Sequence, residues 1–404
     1  MGSLADNRLP LTLDRLEGWL SDRRISIRRD VINHAVQVEG IGAEYDAETL
    51  ETDLHIILHD WLKSDYKCSA SAVSDMIGVI AGKHRFNPVL EMLADAPPWD
   101  GIDRIQELRE ILNIAEDDFL SCMLLHKGLL QALAMAKNEA ATAYGADGIL
   151  VFNGPQGIGK TSLVRVLAVK PELVKLGQYL DSRDKDTIRR CTSCWICEWG
   201  EIETTFKSDL ERLKAFITAE LDQYRVPYGR RDQRLARRTS IIATCNSPRF
   251  LIDPSGSRRF WTIPVSSIDL DRLARFNPLQ LWKQIEREVS ADLQCFRLTK
   301  EEQAALARRN CEHEKPLKGQ MEIEDILTEA ENSPSRYVWQ YMTVSDFKGQ
   351  HSNLQVYSVE TLGRALDKLG IEAKRKTLDG KQSRARYLPC LKWSIASNQY
   401  TKYG

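Results

Sequence analysis

Apolar positions recur at helical spacing through the first part of the chain. Leu50, Leu54, Ile57, Leu58 and Leu62 share one helical face, Val73, Ile77 and Ile80 another, and the run from Leu124-Leu125 to Met135 a third. Pro97-Pro98-Trp99-Asp100-Gly101 interrupts them with a turn that is rigid at its start and permissive at its end. This pattern predicts an all-helical block over 46–144. Residues 1–45, mixed in charge (Arg23-Arg24, Arg28-Arg29) and ending near Gly40-Ile41-Gly42, read as a small or loosely ordered leader.

Near residue 145 the period changes. Short apolar runs at 148–153, 194–198, 240–246 and 260–265 read as buried strands, and the stretches between them, including the amphipathic 209–220, read as helices. Alternating strand and helix is the pattern of a parallel sheet covered by helices, so the fold class is α/β over 145–330, with charged helices in its last part. A separate unit follows over 331–404. Ser358 caps a helix carrying Glu360 in its first turn and ending at Leu369-Gly370, and a strand-turn-strand lies around Leu378-Asp379-Gly380-Lys381. A helix followed by a β-wing fits this unit.

Composition narrows the function classes only a little. The 404 residues are 43% hydrophobic and 28% charged, with a net charge of -1, so any attraction to nucleic acid must come from a local patch. No apolar run approaches the roughly 18 residues of a membrane span, and no membrane partner is expected. Nine cysteines without a secretory signal point to free thiols in a reducing, cytoplasmic compartment.

The chemistry is concentrated after the first predicted strand. Gly154-Pro155-Gln156-Gly157-Ile158-Gly159-Lys160-Thr161-Ser162 joins that strand to a helix, and G-x-x-x-x-G-K-T in this setting is a phosphate-binding P-loop. Its glycines let successive N–H groups face one anion, and the helix start adds partial positive charge. Lys160 would reach the outer phosphates of ATP, and the Thr161 hydroxyl would sit on Mg²⁺. Glu198 ends the second strand, with Glu201 and Glu203 just beyond; one acid would serve the Mg²⁺ shell and another the attacking water, or all form a solvated rim. Asn246 ends the third strand, at the edge where open α/β sheets bind ligands, and would sense the γ-phosphate or else start a turn. Arg258 and Arg259 follow Ser257; one of them would act as an arginine finger, or both simply form basic surface.

Residues 224–238 hold six arginines and two tyrosines against one aspartate, with Gly229 at the tip of an extended run. That suits a hairpin gripping DNA phosphates through Arg225, Arg230, Arg231 and Arg234. Cys191-x-x-Cys194-x-x-Cys197 overlaps a buried strand and lacks a fourth ligand, which argues against a metal. Lys374-Arg375-Lys376, Lys381, Arg384 and Arg386 make the C-terminal wing either a DNA contact or a solvated charged face.

These elements, in this order, resemble the superfamily 3 helicase branch of the AAA+ ATPases. The closer likeness is to the virulence-associated protein E family of phages and phage-derived islands, and to the helicase half of primase-helicases. It covers roughly residues 85 to 265: Asn87-Pro88-Val89 with the Pro-Pro-Trp-Asp-Gly turn, the P-loop, Glu198 and Glu201, Leu213-Lys214-Ala215-Phe216, Pro227-Tyr228-Gly229-Arg230-Arg231, and Arg258-Arg259-Phe260-Trp261. The acids stand three apart, whereas that superfamily tends to have them adjacent, so their division of labour stays open. The resemblance implies an AAA+-like core and a homo-oligomeric ring, usually a hexamer, moving on single-stranded or forked DNA with an initiator or primase as partner. It further implies that 46–144 is an oligomerisation collar and that 331–404 is winged-helix-like; with only some 140 residues upstream, no primase domain and no polymerase activity are expected.

Overall fold

The computed structural model describes residues 8–392, apart from 43, 47, 180–183, 203–209, 226, 252–257 and 379. Glu203 and Ser257 therefore lie outside the described residues. The chain forms two compact units, residues 1–314 and 315–404.

The first unit begins with β1 (Leu9–Pro10), α1 (Leu13–Asp22), β2 (Ser26–Asp30), β3 (Val36–Glu39), α2 (Leu50–Leu62), β4 (Tyr66–Lys67), α3 (Ala70–Lys83) and β5 (Arg85–Phe86). The stretch read as a leader thus carries regular structure. The helical block is also not all helical: β5 joins β2 and β3 in a three-stranded sheet, and β4 pairs with β1. Leu16, Trp19, Leu20 and Ile27 share one core with Leu54, Leu58, Val73 and Ile77. α2 and α3 therefore bury their apolar faces on the residues before them.

The later helices of that block belong to a different core. α4 (Pro88–Ala94), α5 (Arg104–Ile111) and α6 (Phe119–Ala136) pack with the main sheet. In α6, 18 residues are apolar enough in composition to cross a membrane, contrary to the sequence expectation of no such run. Here α6 is a core helix, and Leu124, Leu125, Leu129 and Leu133 are buried with Leu150, Phe152 and Trp261.

The remainder of the unit is β6 (Ile149–Asn153), α7 (Lys160–Leu167), β7 (Val174–Gln178), α8 (Lys185–Thr192), β8 (Ile196–Trp199), α9 (Leu210–Ile217), β9 (Leu221–Tyr224), β10 (Gln233–Ala236), β11 (Ser240–Cys245), β12 (Phe260–Pro264), α10 (Leu270–Arg275), α11 (Pro278–Ala291) and α12 (Lys300–Glu312). Five strands form an all-parallel sheet in the order β12-β6-β11-β8-β7. Its middle strands are buried throughout, as parallel strands covered on both faces must be. The edge strand β7 is only half-buried, and its weak apolar signal hid it from sequence reading.

The second unit contains α13 (Gln320–Asn332), β13 (Tyr337–Met342), α14 (Val344–Gln350), α15 (Val359–Lys368), β14 (Lys374–Leu378) and β15 (Lys381–Leu391). The strands form an antiparallel sheet in the order β13-β15-β14. The unit starts before residue 331 because α13 buries Ile323 and Ile326 in one cluster with Phe347, Leu362 and Leu366. Ser358 caps α15 by accepting the Thr361 N–H at 3.1 Å.

Candidate nucleotide site

The β6–α7 loop lies at the carboxyl ends of the parallel strands. From there the chain passes β11 and β8 to reach the edge strand β7, and such a break in strand order is where open parallel sheets bind ligands. The Gly154 N–H donates to the Cys245 carbonyl at 3.1 Å, tying the loop to β11. A Cβ on Gly154 would stand 1.9 Å from the Val265 carbonyl oxygen, so no side chain fits there. Gly159 precedes α7 with φ +99°, a conformation that strains any other residue.

Lys160 opens α7 and is buried, 7% exposed. Its Nζ donates to the carbonyls of Gly154 and Pro155, both at 2.7 Å, and to Asn246 Oδ1 at 3.0 Å. Next to it, Thr161 Oγ1 donates to Glu198 Oε1 at 2.6 Å. Glu198 is 1% exposed on β8; its Oε2 accepts the Gly177 N–H at 3.0 Å, and Thr244 Oγ1 stands 3.4 Å from Oε1. A buried carboxylate needs such donors, and these come from α7, β7 and β11.

These groups face a cleft of about 740 Å³. Of the residues selected from sequence, Gln156, Gly157, Gly159, Lys160, Thr161, Ser162, Glu198, Glu201 and Asn246 line it. Gly154 and Pro155 contribute through their carbonyls, and Ile158 packs against the core. Glu201 holds φ +49°. Sequence reasoning missed Arg165, Gln178, Tyr179 and Thr244, which also line the cleft. Arg165 lies one helical turn beyond Thr161, which could have flagged it; Gln178 and Tyr179 depend on the overlooked β7.

A hydroxyl and a carboxylate meeting at a helix start suit Mg²⁺, which takes one or two protein oxygens and keeps its waters. Among the described residues no three His, Cys, Asp or Glu side chains are grouped as a metal site. Cys191, Cys194 and Cys197 are buried in the apolar cluster with Trp199 and Ile202. Hydrogen bonding with Cys191 and Cys194, then burial, pushes the Cys197 thiol well above its usual range.

The arginine-rich segment is a hairpin of antiparallel β9 and β10, but its arginines do two different things. Arg237 is buried beneath it: Nε donates to Asp222 Oδ2 at 3.0 Å, and the guanidinium lies 4.1 Å from the Phe216 ring. Arg238 is buried on the Val31 carbonyl at 3.2 Å. Arg231 and Arg234 are exposed. Arg225 Nε donates to the Gly229 carbonyl at 2.6 Å. Arg230, expected to be open to DNA, is paired with Asp75 of α3, Nε to Oδ1 at 2.9 Å. Beside it the Tyr228 hydroxyl donates to the Glu51 carbonyl, and Arg29 Nη2 donates to the Pro227 carbonyl at 3.2 Å. The hairpin tip is thus seated on the chain's own N-terminal helices.

Arg258 and Arg259 do not line the cleft. They precede β12, whose Phe260 pairs with Ile149 and Pro264 with Asn153, so they sit at the amino edge of the sheet while the P-loop sits at the carboxyl edge. In the second unit Lys374, Arg375 and Lys376 are exposed on β14. Arg386 is instead buried, donating to Asp367 Oδ1 at 2.6 Å and the Gly363 carbonyl at 3.1 Å.

No curated protein matches this chain. Among solved structures, the apo NrS-1 C-terminal region (305–718) is 15% identical with a TM-score of 0.47; the match covers 92% of this chain and 98% of that one. SCCmec type IV Cch, described as an active helicase, is 11% identical with a TM-score of 0.38, over 92% of this chain and 94% of that one. The pattern of the virulence-associated protein E-like domain matches residues 92–315, from α4 through the P-loop, hairpin and β12 to the end of the first unit. With more than half its length matched, this chain belongs to the virulence-associated protein E-like family.

Proposed function

We propose that this protein is an ATP- and Mg²⁺-dependent DNA helicase of the superfamily 3 type, with an AAA+-like core. In this reading it forms a ring, a hexamer by family resemblance, on single-stranded or forked DNA in the cytoplasm, replicating a phage or phage-derived element. The observation that carries the reading is the convergence of Lys160, Thr161, Glu198 and Asn246, from three separate segments, on one cleft beside a glycine loop. Lys160 would exchange its loop carbonyls for triphosphate oxygens. Thr161 and Glu198 would hold Mg²⁺, which neutralises phosphate charge when bound. Glu198 or Glu201 would orient the attacking water, and Asn246, bonded to Lys160, would register the γ-phosphate. Arg258 or Arg259, a sheet's height from its own P-loop, would serve a neighbouring copy. Arg225, Arg230, Arg231 and Arg234 would grip DNA, residues 46–144 would contribute to the collar, and the C-terminal unit would act as a winged helix.

The test is ATP turnover with and without single-stranded DNA, together with fork unwinding. A helicase gives DNA-stimulated turnover and strand separation, and Lys160→Ala abolishes both. Equal turnover with and without DNA, and no unwinding, would favour a second reading: a nucleotide-dependent initiator or interference factor that assembles on DNA or on a partner such as an initiator or primase. The seating of Arg230 and Tyr228 on the chain's own helices favours that reading, since a docked tip is not free to walk along a strand.

A further inference from the structure

Away from the nucleotide cleft, a pocket of about 280 Å³ opens between the N-terminal sheet and the β9–β10 hairpin, walled by Arg29, His34, Arg85, Arg234 and the glycine face of α3 at Gly78 and Gly82. Arg29 and Arg85 are direct partners in the β2–β5 pairing. Like charges placed opposite one another destabilise a sheet unless something between them offsets the repulsion. No carboxylate among the described residues does so at contact range. Among the described residues none pairs with Arg29, Arg85, Arg234 or the nearby Arg238, and the Arg85 and Arg234 guanidiniums donate to no described residue. Arg29 spends its donors on the carbonyls of His34 and Pro227, and Arg238 on that of Val31. The nearest acids act only at longer range: Glu51 on Arg29, and Glu139 and Asp30 on Arg238.

Two further features point the same way. His34 holds φ +65° in the β2–β3 turn, an uncommon conformation for a non-glycine residue and one that marks functional positions more often than chance. Burial and then the positive field of Arg238, Arg29, Arg85 and Arg189 press its pKa down to about 3, so the ring is neutral near pH 7. At Gly82 a side chain would meet nothing within 4 Å, which leaves the pocket open on that side.

We propose that this pocket is a second phosphate site, which takes one phosphodiester group of a single strand passing between β10 and β5. The site rests on the proposed action on polynucleotide only for the source of its phosphate. It makes the N-terminal sheet part of the strand's path, with Arg234 shared between the hairpin and the pocket.

The test is the binding of a fluorescent oligothymidylate to the full chain, read by anisotropy across a salt series. Arg85 is exposed, so Arg85→Ala should fold. It should weaken binding several-fold and flatten the log affinity against log salt slope by about 0.7, the share of one phosphate contact on a single strand. Gly82→Asp should also weaken binding several-fold while Gly82→Asn does not, which isolates charge from bulk. Lys63→Ala, a surface cation on the neighbouring helix end outside the pocket, should change nothing. If the wild type binds the oligonucleotide and neither Arg85→Ala nor Gly82→Asp weakens it, the site is wrong while the polynucleotide reading stands. If the wild type ignores oligonucleotides, that reading fails and calorimetry with pyrophosphate in the Lys160→Ala background decides. Binding that is lost on adding Arg85→Ala keeps a phosphate site with a free phosphate as its source; equal binding with and without Arg85 overturns it.

Discussion

Thr161 Oγ1 and Glu198 Oε1 lie 2.6 Å apart, joining the first turn of α7 to the middle of the sheet through one hydrogen bond. Glu198 is almost fully buried, so the protein donors around it are structural as well as chemical. Glu198→Ala removes the acceptor of the Gly177 N–H and of the Thr161 hydroxyl, two hydrogen bonds to a charged group that contribute about 1.5–3 kcal/mol each. Glu198→Gln preserves shape and most of these bonds. Thermal melts should show Glu198→Ala clearly destabilised and Glu198→Gln close to wild type. ATP binding measured with and without Mg²⁺ should lose its Mg²⁺ dependence in Glu198→Gln.

Lys160 is held by three oxygens of its own loop and of Asn246. Lys160→Ala should reduce ATP turnover by at least about 100-fold, the scale seen when a preorganised charge-stabilising donor is removed. Its melting temperature without nucleotide should change far less than its gain on adding ATP. A variant that still hydrolyses ATP at the wild-type rate would move the chemistry elsewhere.

The Arg230–Asp75 pair is exposed, and such pairs contribute only about 0–1 kcal/mol to stability. Its removal should therefore leave the fold intact and alter how free the hairpin is. Asp75→Ala should tighten binding of single-stranded DNA by releasing Arg230, whereas Arg230→Ala should weaken it. Equal affinities in both variants and the wild type would mean that Arg230 does not touch DNA.

His34 and Asp30 set opposing acid responses. For His34 the folded pKa of about 3 lies below the ordinary 6.5, so the unfolded chain binds the proton first and stability is lost as pH falls through that window. For Asp30, burial raises the value from 3.8 to about 6, so the folded state binds the proton first and acidification between about 6 and 3.8 stabilises. The histidine shift is the larger, and the net trend below pH 6.5 should be destabilising. His34→Asn, which tolerates the left-handed backbone, should flatten the fall in melting temperature between about pH 6.5 and 5. An unchanged acid limb would show that His34 does not control it.

The position of Arg258 and Arg259 at the edge of the sheet away from the P-loop gives a mixing test. Lys160→Ala subunits and Arg258→Ala/Arg259→Ala subunits, each inactive alone, should regain part of their ATPase activity when combined. No recovery at any ratio would show that neither arginine serves another subunit.

Much of the site was legible because its residues are locally coded. Strand, glycine loop and helix are contiguous, so Lys160 and Thr161 could be placed without knowing the rest. Glu198 and Asn246 were visible as polar residues at the ends of apolar runs. What escaped reading depended on distant partners. Tyr179 lines the cleft only because β7 joins the sheet edge, and β7 has too few apolar residues to announce itself. Arg237 and Arg238 looked identical to their neighbours in a basic run, yet Asp222 and the Val31 carbonyl draw them inside. The division of the helical block between two cores was equally hidden, because apolar spacing tells which face is buried and not against what.

The covering of α6 has a consequence for how the chain is made. Its partners β6, β11, β12, α11 and α12 are all encoded after it, the last ending at Glu312. During synthesis this greasy rod leaves the ribosome before its lid exists, with the length and composition of a spanning segment still uncovered. Fragments that stop short of α11 should accumulate with chaperones or in aggregates, so useful truncations of this protein must keep α6 and α11 together or remove both.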